Sequence, residues 1–339
     1  AESVCGGEDD VLDVLTRLTQ RSMVAVRRSS TDGTRYAMLE TLREFGLARL
    51  DDSQSAAHFR AHAAHFTAVA ESIAETLRGP DEARGVARAD RSFADLRAAQ
   101  RFATMTGDLD LACRLVAGLG EYAMRTMRYE VLGWADTLAA TLGDHDHELG
   151  PTVEALAGYW GFVRGNFDDS IRLVDGAAER QAQLGLPPLE LVERVRANSL
   201  FMIGDVDGAL RSCAAMIEAA ETSGDRSLIV HANYMSSIGA SSVDLTELAD
   251  ERQRASFAAA RLTESPTDMA SAWMARGFAI TDDDDASLDA FASADRLARS
   301  VGNRWMSAFA ASVGGSLRLV HDDVEHGCEQ LAERVDLLY

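Results

Sequence analysis

The feature that most constrains the fold is a spacing of 39 residues that recurs through the second half of the chain. The segment from Gly165 to Ile171 (GNFDDSI) is followed 39 residues later by the segment from Gly204 to Leu210 (GDVDGAL). Further steps of 39 residues reach Val243, Asp282 and His321, each in a short polar stretch. A period of this length is typical of stacked supersecondary units. The sequence therefore predicts repeated helix–turn–helix pairs.

Small residues mark where the two helices of each pair would cross. They stand seven residues before the turns, at Gly158, Ala197, Ala275 and Gly314, and after the turns, at Ser170, Ala177, Ala209, Ser287 and Ala294. Tetratricopeptide (TPR) repeats have the same plan at about 34 residues, so the longer period predicts longer turns. We expect about five to seven such pairs in a TPR-like α-solenoid over residues 53–339. The unit near Val230 is the weakest match, because Leu248 and Arg252 stand where small and apolar residues are expected.

The first fifty residues have a different pattern. Val11, Leu15 and Leu18 share a helical stripe, and residues 21–26 then alternate like a strand. Asp32-Gly33 is a two-residue turn of the kind that closes hairpins, residues 35–39 form a plausible return strand, and residues 40–50 form a second helix. We therefore predict a mainly α fold in which a partial winged helix with one β-hairpin (1–52) precedes the helical repeats (53–339).

This N-terminal segment resembles a known family. The strings VLDVLTRLTQRSMVAV and RYAMLETLREFGLARL are similar to the winged-helix segment of bacterial STAND-type signalling ATPases, and MLETLREF is the most specific part. The resemblance extends to about residue 145. It implies that a nucleotide-binding module precedes this segment and that a helical-repeat sensor follows it. Such proteins include LuxR-type and SARP-type transcriptional regulators and ATPases linked to adenylate cyclases. Because the family's Walker motifs and DNA-reading helix are missing here, nucleotide hydrolysis and promoter recognition belong to other parts of a longer protein.

The charge of the chain limits its partners. All 33 basic residues are arginine, 54 acidic residues oppose them, and the net charge is −21. An acidic surface repels phosphate backbones, and the hairpin offers only Arg27, Arg28 and Arg35, so we expect no direct binding to nucleic acid. Without lysine the chain has neither a P-loop lysine nor a Schiff-base lysine.

The compartment follows from the cysteines and the apolar runs. The four cysteines lie about a hundred residues apart with no CxxC, which favours reduced thiols in a cytoplasm. No run approaches the roughly 18 apolar residues of a membrane span, and the acidic start lacks the features of a signal peptide. We expect a cytoplasmic chain without membrane contact. A beginning without methionine suggests a fragment of a longer protein.

One pattern suggests a metal. His58, His62 and His65 fall near one face of a predicted helix. The neighbouring stripe of Phe59 and Phe66 explains this helix by burial alone, and no acid or cysteine nearby is an obvious fourth ligand. We therefore assign no metal and no other cofactor to the chain, and keep a metal-dependent enzyme at these histidines only as an alternative. Motifs typical of catalysis are absent, so we expect no enzymatic activity.

The inward faces of the first helices are the predicted binding surface. Counting back from the turns gives a groove lined by Tyr159, Phe162, Arg194, Asn198, Phe201, Asn233, Arg276 and Arg318. Aromatic and arginine side chains together suit a peptide, an acidic segment or a small polar ligand such as a sugar. Plain core packing or a solvated face would explain the same residues.

These observations favour a regulatory fragment of a STAND-type ATPase or transcriptional regulator that binds a protein partner or an effector in the groove and contacts an upstream NTPase module. A small-molecule sensor, with a sugar-like ligand that releases autoinhibition, is the alternative of a different kind.

The first prediction concerns nucleotides. Because the chain has no lysine and no glycine-rich phosphate loop before a helix, it is expected neither to bind nor to hydrolyse ATP by itself. Isothermal titration calorimetry of the purified chain with ATP and Mg²⁺ should show no saturable heat. A saturable isotherm would contradict the prediction.

Overall fold

The computed structural model describes residues 4, 11–29, 33–320, 326–329 and 331–332. Within these residues the regular structure is helical apart from one two-stranded antiparallel sheet. The prediction of a mainly α fold with one β-hairpin and a helical repeat region is confirmed. The chain divides into two compact units: the first unit is Ala1–Val69 with Ala94–Leu111, and the second unit is Ala70–Phe93 with Ala112–Tyr339. The boundary predicted between residues 52 and 53 falls inside the first unit.

The first unit contains the hairpin and two short helices. Helix α1 (Val11–Gln20) leads into strand β1 (Val24–Ser29), and strand β2 (Gly33–Met38) leads into helix α2 (Glu40–Leu47). In the hairpin Val24 lies opposite Met38 and Ser29 lies opposite Gly33. Gly33 therefore opens β2 rather than forming half of a two-residue turn, and Asp32 lies outside the described residues. The alternation of the strands sets this register, which leaves residues 30–32 to join them.

Two long helices contribute residues to both units. Helix α3 (Asp52–Thr76) is followed by helix α4 (Glu82–Thr106), and each has 25 residues. In the first unit the rings of Phe59 and Phe102 stack with centroids 6.5 Å apart. Arg60 Nη1 lies 3.0 Å from Asp108 Oδ2. These contacts hold the start of α3 against the end of α4.

The remaining helices form successive antiparallel pairs. They are α5 (Leu109–Thr126), α6 (Tyr129–Leu142), α7 (Gly150–Val163), α8 (Phe167–Gln183), α9 (Glu190–Met202), α10 (Val206–Ser223), α11 (Arg226–Ser241), α12 (Thr246–Ala260), α13 (Pro266–Ala279), α14 (Asp284–Ser300) and α15 (Arg304–Val320). We call α5, α7, α9, α11, α13 and α15 the first helices. Every predicted turn except the one at His321, which lies outside the described residues, falls between a first helix and its partner.

Glycine ends two of the first helices in a conformation that other residues rarely adopt. The φ angle is +73° at Gly165 and +82° at Gly204. Left-handed backbone after the last helical residue reverses the chain, and glycine adopts it without a steric penalty. The next residues, Asn166 and Asp205, begin the partner helices, and their side chains accept hydrogen bonds from backbone amides of the first turn.

The small residues lie where the helices cross, as the sequence predicts. A Cβ added to Gly158 would meet Val174 Cγ1 at 2.9 Å, so only glycine permits this approach of α7 and α8. Serine hydroxyls at other crossings bond to the facing helix: Ser287 Oγ donates to the carbonyl of Gly277 at 2.7 Å, and Ser170 Oγ lies 2.8 Å from Ser199 Oγ. Close packing and satisfied hydroxyls therefore occur together.

The weak unit near Val230 is in register after a shift of one residue. Ser237 and Ala249 occupy the places that Gly158 and Ser170 hold in the first repeat, and the hydroxyl of Ser237 donates to the carbonyl of Ala249 at 2.9 Å. Ala197 and Ser237 are 40 residues apart, whereas Gly158 and Ala197 are 39 apart. Strict counting by 39 therefore placed Leu248 at the crossing, although Ala249 is the buried residue there.

The second prediction concerns one close helix crossing. A Cβ on Gly277 would meet the ring of Phe291 at 2.5 Å, so Gly277→Ala should lower the free energy of unfolding by about 1–3 kcal/mol. Gly176→Ala is the matched control, because Gly176 is an exposed helical glycine with nothing within 4 Å of an added Cβ. The control should be more stable than the original chain by about 0.5–1 kcal/mol. Urea unfolding measures both, and equal effects of the two variants would contradict the prediction.

Candidate ligand-binding cavity

A cavity of about 850 Å³ lies in the second unit and is lined mainly by the first helices. Its wall contains residues of α5, α7, α9, α11, α13 and α15, with Arg78 and Asp225 from connecting segments. A volume in this range is typical of sites for small organic ligands.

Much of the cavity wall is aromatic and aliphatic. Phe278 stacks on Phe309 with ring centroids 6.0 Å apart, and Trp305 lies 5.4 Å from the same Phe309 ring. Phe201 and Ile238 continue this apolar surface. The surface would hold an apolar molecule by excluding water from both.

The cavity also has an ionic cluster, formed by Glu121, Arg125, Glu190 and Arg194. Arg194 Nη2 donates to Glu121 Oε1 at 2.6 Å, and Arg125 Nε lies 3.3 Å from Glu121 Oε2. Arg194 Nε lies 3.5 Å from Glu190 Oε1, and neither of these two buried atoms has a hydrogen bond to a described residue. The cluster comes from α5 and α9, where each helix supplies an acid and an arginine four residues apart.

Glu82 extends this cluster to the other side of the second unit. Its carboxylate is 1% exposed and lies 3.3 Å from Arg125 Nη1. It accepts hydrogen bonds from the hydroxyl of Ser265, from the amide of Thr267 at 3.2 Å and from the hydroxyl of Thr267 at 2.5 Å. The start of α4 therefore meets the start of α13, and the helices between them curve around the cavity.

The surroundings of the ionisable side chains in the cavity shift their pKa values in different directions. Burial would raise the pKa of the Glu121 carboxyl, but the guanidinium groups of Arg194 and Arg125 outweigh it and hold that pKa well below its usual value. Burial raises the pKa of Glu190, and Arg194 offsets this only in part. His231 faces the same region, where burial, helped by the positive charge of Arg194, lowers its pKa to about 3. The imidazole is therefore neutral at physiological pH.

Five of the residues predicted to line the groove do line the cavity. They are Tyr159, Phe162, Arg194, Asn198 and Phe201. They come from α7 and α9, where the 39-residue step is accurate. Arg194 is engaged in the ionic cluster rather than left available to a ligand.

Asn233, Arg276 and Arg318 are not among the lining residues. Asn233 is 3% exposed and its amide donates to the carbonyl of Ile229 at 2.8 Å. Because its repeat is one residue longer, Tyr234 takes the cavity-facing place instead. Arg318 is half-buried near the end of α15.

Arg276 is turned away from the cavity for a reason different from that for Asn233. In α9 the lining residues Arg194, Asn198 and Phe201 lie three before, one after and four after the crossing residue Ala197. In α13 the lining residues Ser271 and Phe278 lie four before and three after the crossing residue Ala275. Since one residue turns a helix by about 100°, this drift leaves Arg276 on the exposed side. Its guanidinium lies over the Trp273 ring, 5.6 Å from the centroid.

Sequence reasoning missed several residues of the cavity, including Glu121, Arg125, Glu190, His231, Tyr234 and Trp305. A signal was present for three of them, Glu121, Arg125 and Glu190. Glu121 with Arg125, and Glu190 with Arg194, are acid–arginine pairs at i, i+4 on helices otherwise rich in apolar residues. No periodicity marked His231 or Trp305.

The three predicted histidines have separate environments in the first unit. His62 Nε2 lies 3.3 Å from Asp95 Oδ1, the ring of His65 packs edge-on against Phe66 at 5.0 Å, and His58 is exposed. Among the residues that the structure describes, no group of three or more His, Cys, Asp or Glu side chains is placed to share a metal ion.

Comparison with known proteins identifies relatives by name. A protein of Mycobacterium bovis and two proteins from strains of Mycobacterium tuberculosis, each named an HTH-type transcriptional regulator, are 32% identical to the chain over 160 residues. The match covers 46% of this chain and 18% of each relative, so the chain spans less than a fifth of their length. No protein-family model matches the chain. In the described part of the chain, no helix has both the length and the apolar composition needed to cross a bilayer.

The third prediction concerns the ionic cluster. Arg194→Ala should lower the free energy of unfolding at neutral pH by about 3 kcal/mol, because it leaves Glu121 and Glu190 without their shared partner in a largely buried site. Arg172→Ala is the control, since Arg172 pairs with Asp169 on the surface with its side chain 69% exposed. Its loss should cost about 0.5 kcal/mol or less.

The same variant has a pH signature. The pKa of Glu121 is lower in the folded chain than in the unfolded chain, so its stabilising contribution is present above the unfolded pKa and is lost as pH falls. Arg194→Ala raises the pKa of Glu121 in the folded chain, so acidification should protonate Glu121 in the variant. The difference in free energy of unfolding between the variant and the original chain should therefore become smaller at acidic pH. Urea unfolding at neutral and acidic pH tests this, and a gap of constant size would contradict it.

Proposed function

We propose that the chain is the effector-binding part of a bacterial transcriptional regulator of the STAND type, and that the cavity of the second unit binds a small organic effector. The observation that carries the proposal is the cavity itself. A volume of about 850 Å³, an aromatic wall and an ionic cluster at one side match the make-up of ligand sites in general.

The regulatory assignment has two supports. The named relatives are HTH-type transcriptional regulators, and the string MLETLREF resembles the winged-helix segment of STAND-type ATPases. In this proposal ATP hydrolysis and DNA recognition belong to other parts of a longer protein, and this chain contributes binding rather than catalysis.

The first unit exposes large apolar side chains, among them Leu39 at 67%, Leu12 at 57% and Phe45 at 54%. We propose that the upstream NTPase module covers them, as the family resemblance implies.

Within the cavity, the lining favours a small amphipathic molecule over a sugar or a peptide. A sugar carries hydroxyl groups around its whole ring, whereas most of the accessible surface of the cavity wall is apolar. A peptide partner would need an extended groove with backbone partners or side-chain pockets along it. A protein partner remains the alternative, and it would bind without displacing a small probe from the cavity.

The fourth prediction tests the cavity with N-phenyl-naphthylamine, an uncharged probe that fluoresces in apolar sites. The chain should bind it saturably, and its melting temperature should rise with probe concentration by linkage. Ile238→Trp, which fills part of the cavity, should weaken probe binding by about tenfold or more.

Leu262→Trp is the matched control, because Leu262 is 59% exposed and does not line the cavity. It should bind the probe like the original chain. Equal affinities of both variants, or no saturable binding by the original chain, would overturn the proposed cavity function.

A further inference from the structure

Three polar groups in the cavity wall have no partner among the described residues. The hydroxyls of Tyr159 and Tyr234 and the imidazole of His231 make no hydrogen bond to any described residue, although all three line the cavity. Tyr159 is 6% exposed and Tyr234 is 3% exposed. None of their polar atoms is among the fully buried atoms without a partner, so these atoms are accessible from the cavity. A ligand that enters the cavity can therefore supply their hydrogen-bond partners.

These groups lie together beside the ionic cluster. Tyr159 belongs to α7, and His231 and Tyr234 lie on one face of α11 with ring centroids 5.6 Å apart. Burial raises the pKa of both tyrosines, and the Tyr159 hydroxyl is close enough to Arg194 and Glu121 to interact with their charges. The hydroxyls therefore stay protonated and are hydrogen-bond donors.

We propose that Tyr159, Tyr234 and His231 form a hydrogen-bonding subsite for an uncharged carbonyl or hydroxyl group at one end of an otherwise apolar effector. This inference rests on the proposed function of the cavity. The donors need an acceptor, which a carbonyl or hydroxyl oxygen provides, and the neutral imidazole can donate or accept.

The charges around the subsite argue for an uncharged group. Arg194 is compensated by Glu121 and Glu190, and Arg125 by Glu82 and Glu121. An anionic head would displace none of these acids and would face two carboxylates. A cationic head would face two guanidinium groups. Within the ionic cluster neither head gains a free counter-charge, whereas a neutral dipole gains hydrogen bonds without disturbing the cluster.

The aromatic side chains of α13 and α15 supply the apolar part of the site. Phe278, Trp305 and Phe309 pack together and offer an aromatic surface without hydrogen-bonding groups other than the indole N–H. A ligand that spans the cavity is therefore expected to be amphipathic, with its polar atoms at one end.

The test is the double variant Tyr159→Phe with Tyr234→Phe, measured with two uncharged naphthalene probes. Prodan carries a ketone, whereas N-phenyl-naphthylamine carries no carbonyl. The double variant should bind Prodan about tenfold more weakly, as expected for two lost hydrogen bonds, and should bind N-phenyl-naphthylamine within about twofold of the original chain. Because the hydroxyls bond to no described residue, the melting temperature should not fall. Tyr36→Phe, an exposed tyrosine of β2, is the control.

Each other outcome has a definite meaning. Unchanged Prodan binding, or equal losses for both probes, would overturn the subsite and leave the proposed cavity function intact. A fall in melting temperature would mean that the hydroxyls are structural, which also overturns it. Tighter binding of the anionic anilinonaphthalene sulfonate than of Prodan would overturn the uncharged head. Failure of the original chain to bind either uncharged probe would instead count against the proposed function.

A second variant keeps the test independent of the tyrosines. His231→Phe preserves a ring in the wall and removes the imidazole nitrogens. It should weaken Prodan binding by about threefold or more while sparing N-phenyl-naphthylamine. Equal binding of Prodan by this variant and the original chain would remove His231 from the subsite.

Discussion

The carboxylate of Glu82 connects parts of the second unit that are far apart in sequence. It belongs to the first turn of α4, and its partner Thr267 lies 185 residues later at the start of α13. A carboxylate this deeply buried is tolerated only when charge and hydrogen bonds compensate it, and Arg125, Ser265 and Thr267 do so together. Without that meeting, the start of α4 would lose its contact with the start of α13, which stacking of neighbouring pairs does not provide.

Different residue types occupy the helix crossings and the cavity wall. Glycine, alanine and serine occupy the places where helices approach closely, because larger side chains do not fit there. Only 6% of the chain is aromatic, and several of those side chains lie on the cavity-facing side of the first helices. Small residues therefore let the helices of a pair approach closely, and several aromatic side chains of the first helices line the cavity.

The cavity is lined by helices of several pairs that are not neighbours along the chain. A ligand that touches Tyr159, Tyr234 and Phe309 contacts α7, α11 and α15 at once. Binding of such a ligand would stabilise the stacked arrangement of these helices by mass action. A regulator needs such a coupling, since a signal must pass from the bound effector to the rest of the protein.

The sequence by itself determined the type of fold and the local positions of turns and crossings. Gly165, Gly204 and the small residues around them required helix pairs, because backbone reversal and close approach depend on residue type alone. It also located Tyr159, Phe162, Arg194, Asn198 and Phe201 on one surface, since a constant step carries a helix face from one repeat to the next.

Only the tertiary structure decided where that surface continues and what closes it. The repeat length changes by one residue near Ser237, so Tyr234 rather than Asn233 lines the cavity. The lining positions also shift between α9 and α13, which leaves Arg276 on the exposed side. The pairing of Glu82 with Thr267, and the meeting of α5 with α9 in the ionic cluster, join residues whose separation in sequence has no period. Such contacts depend on how many successive helix pairs are oriented relative to one another, and the sequence of a single repeat does not specify this.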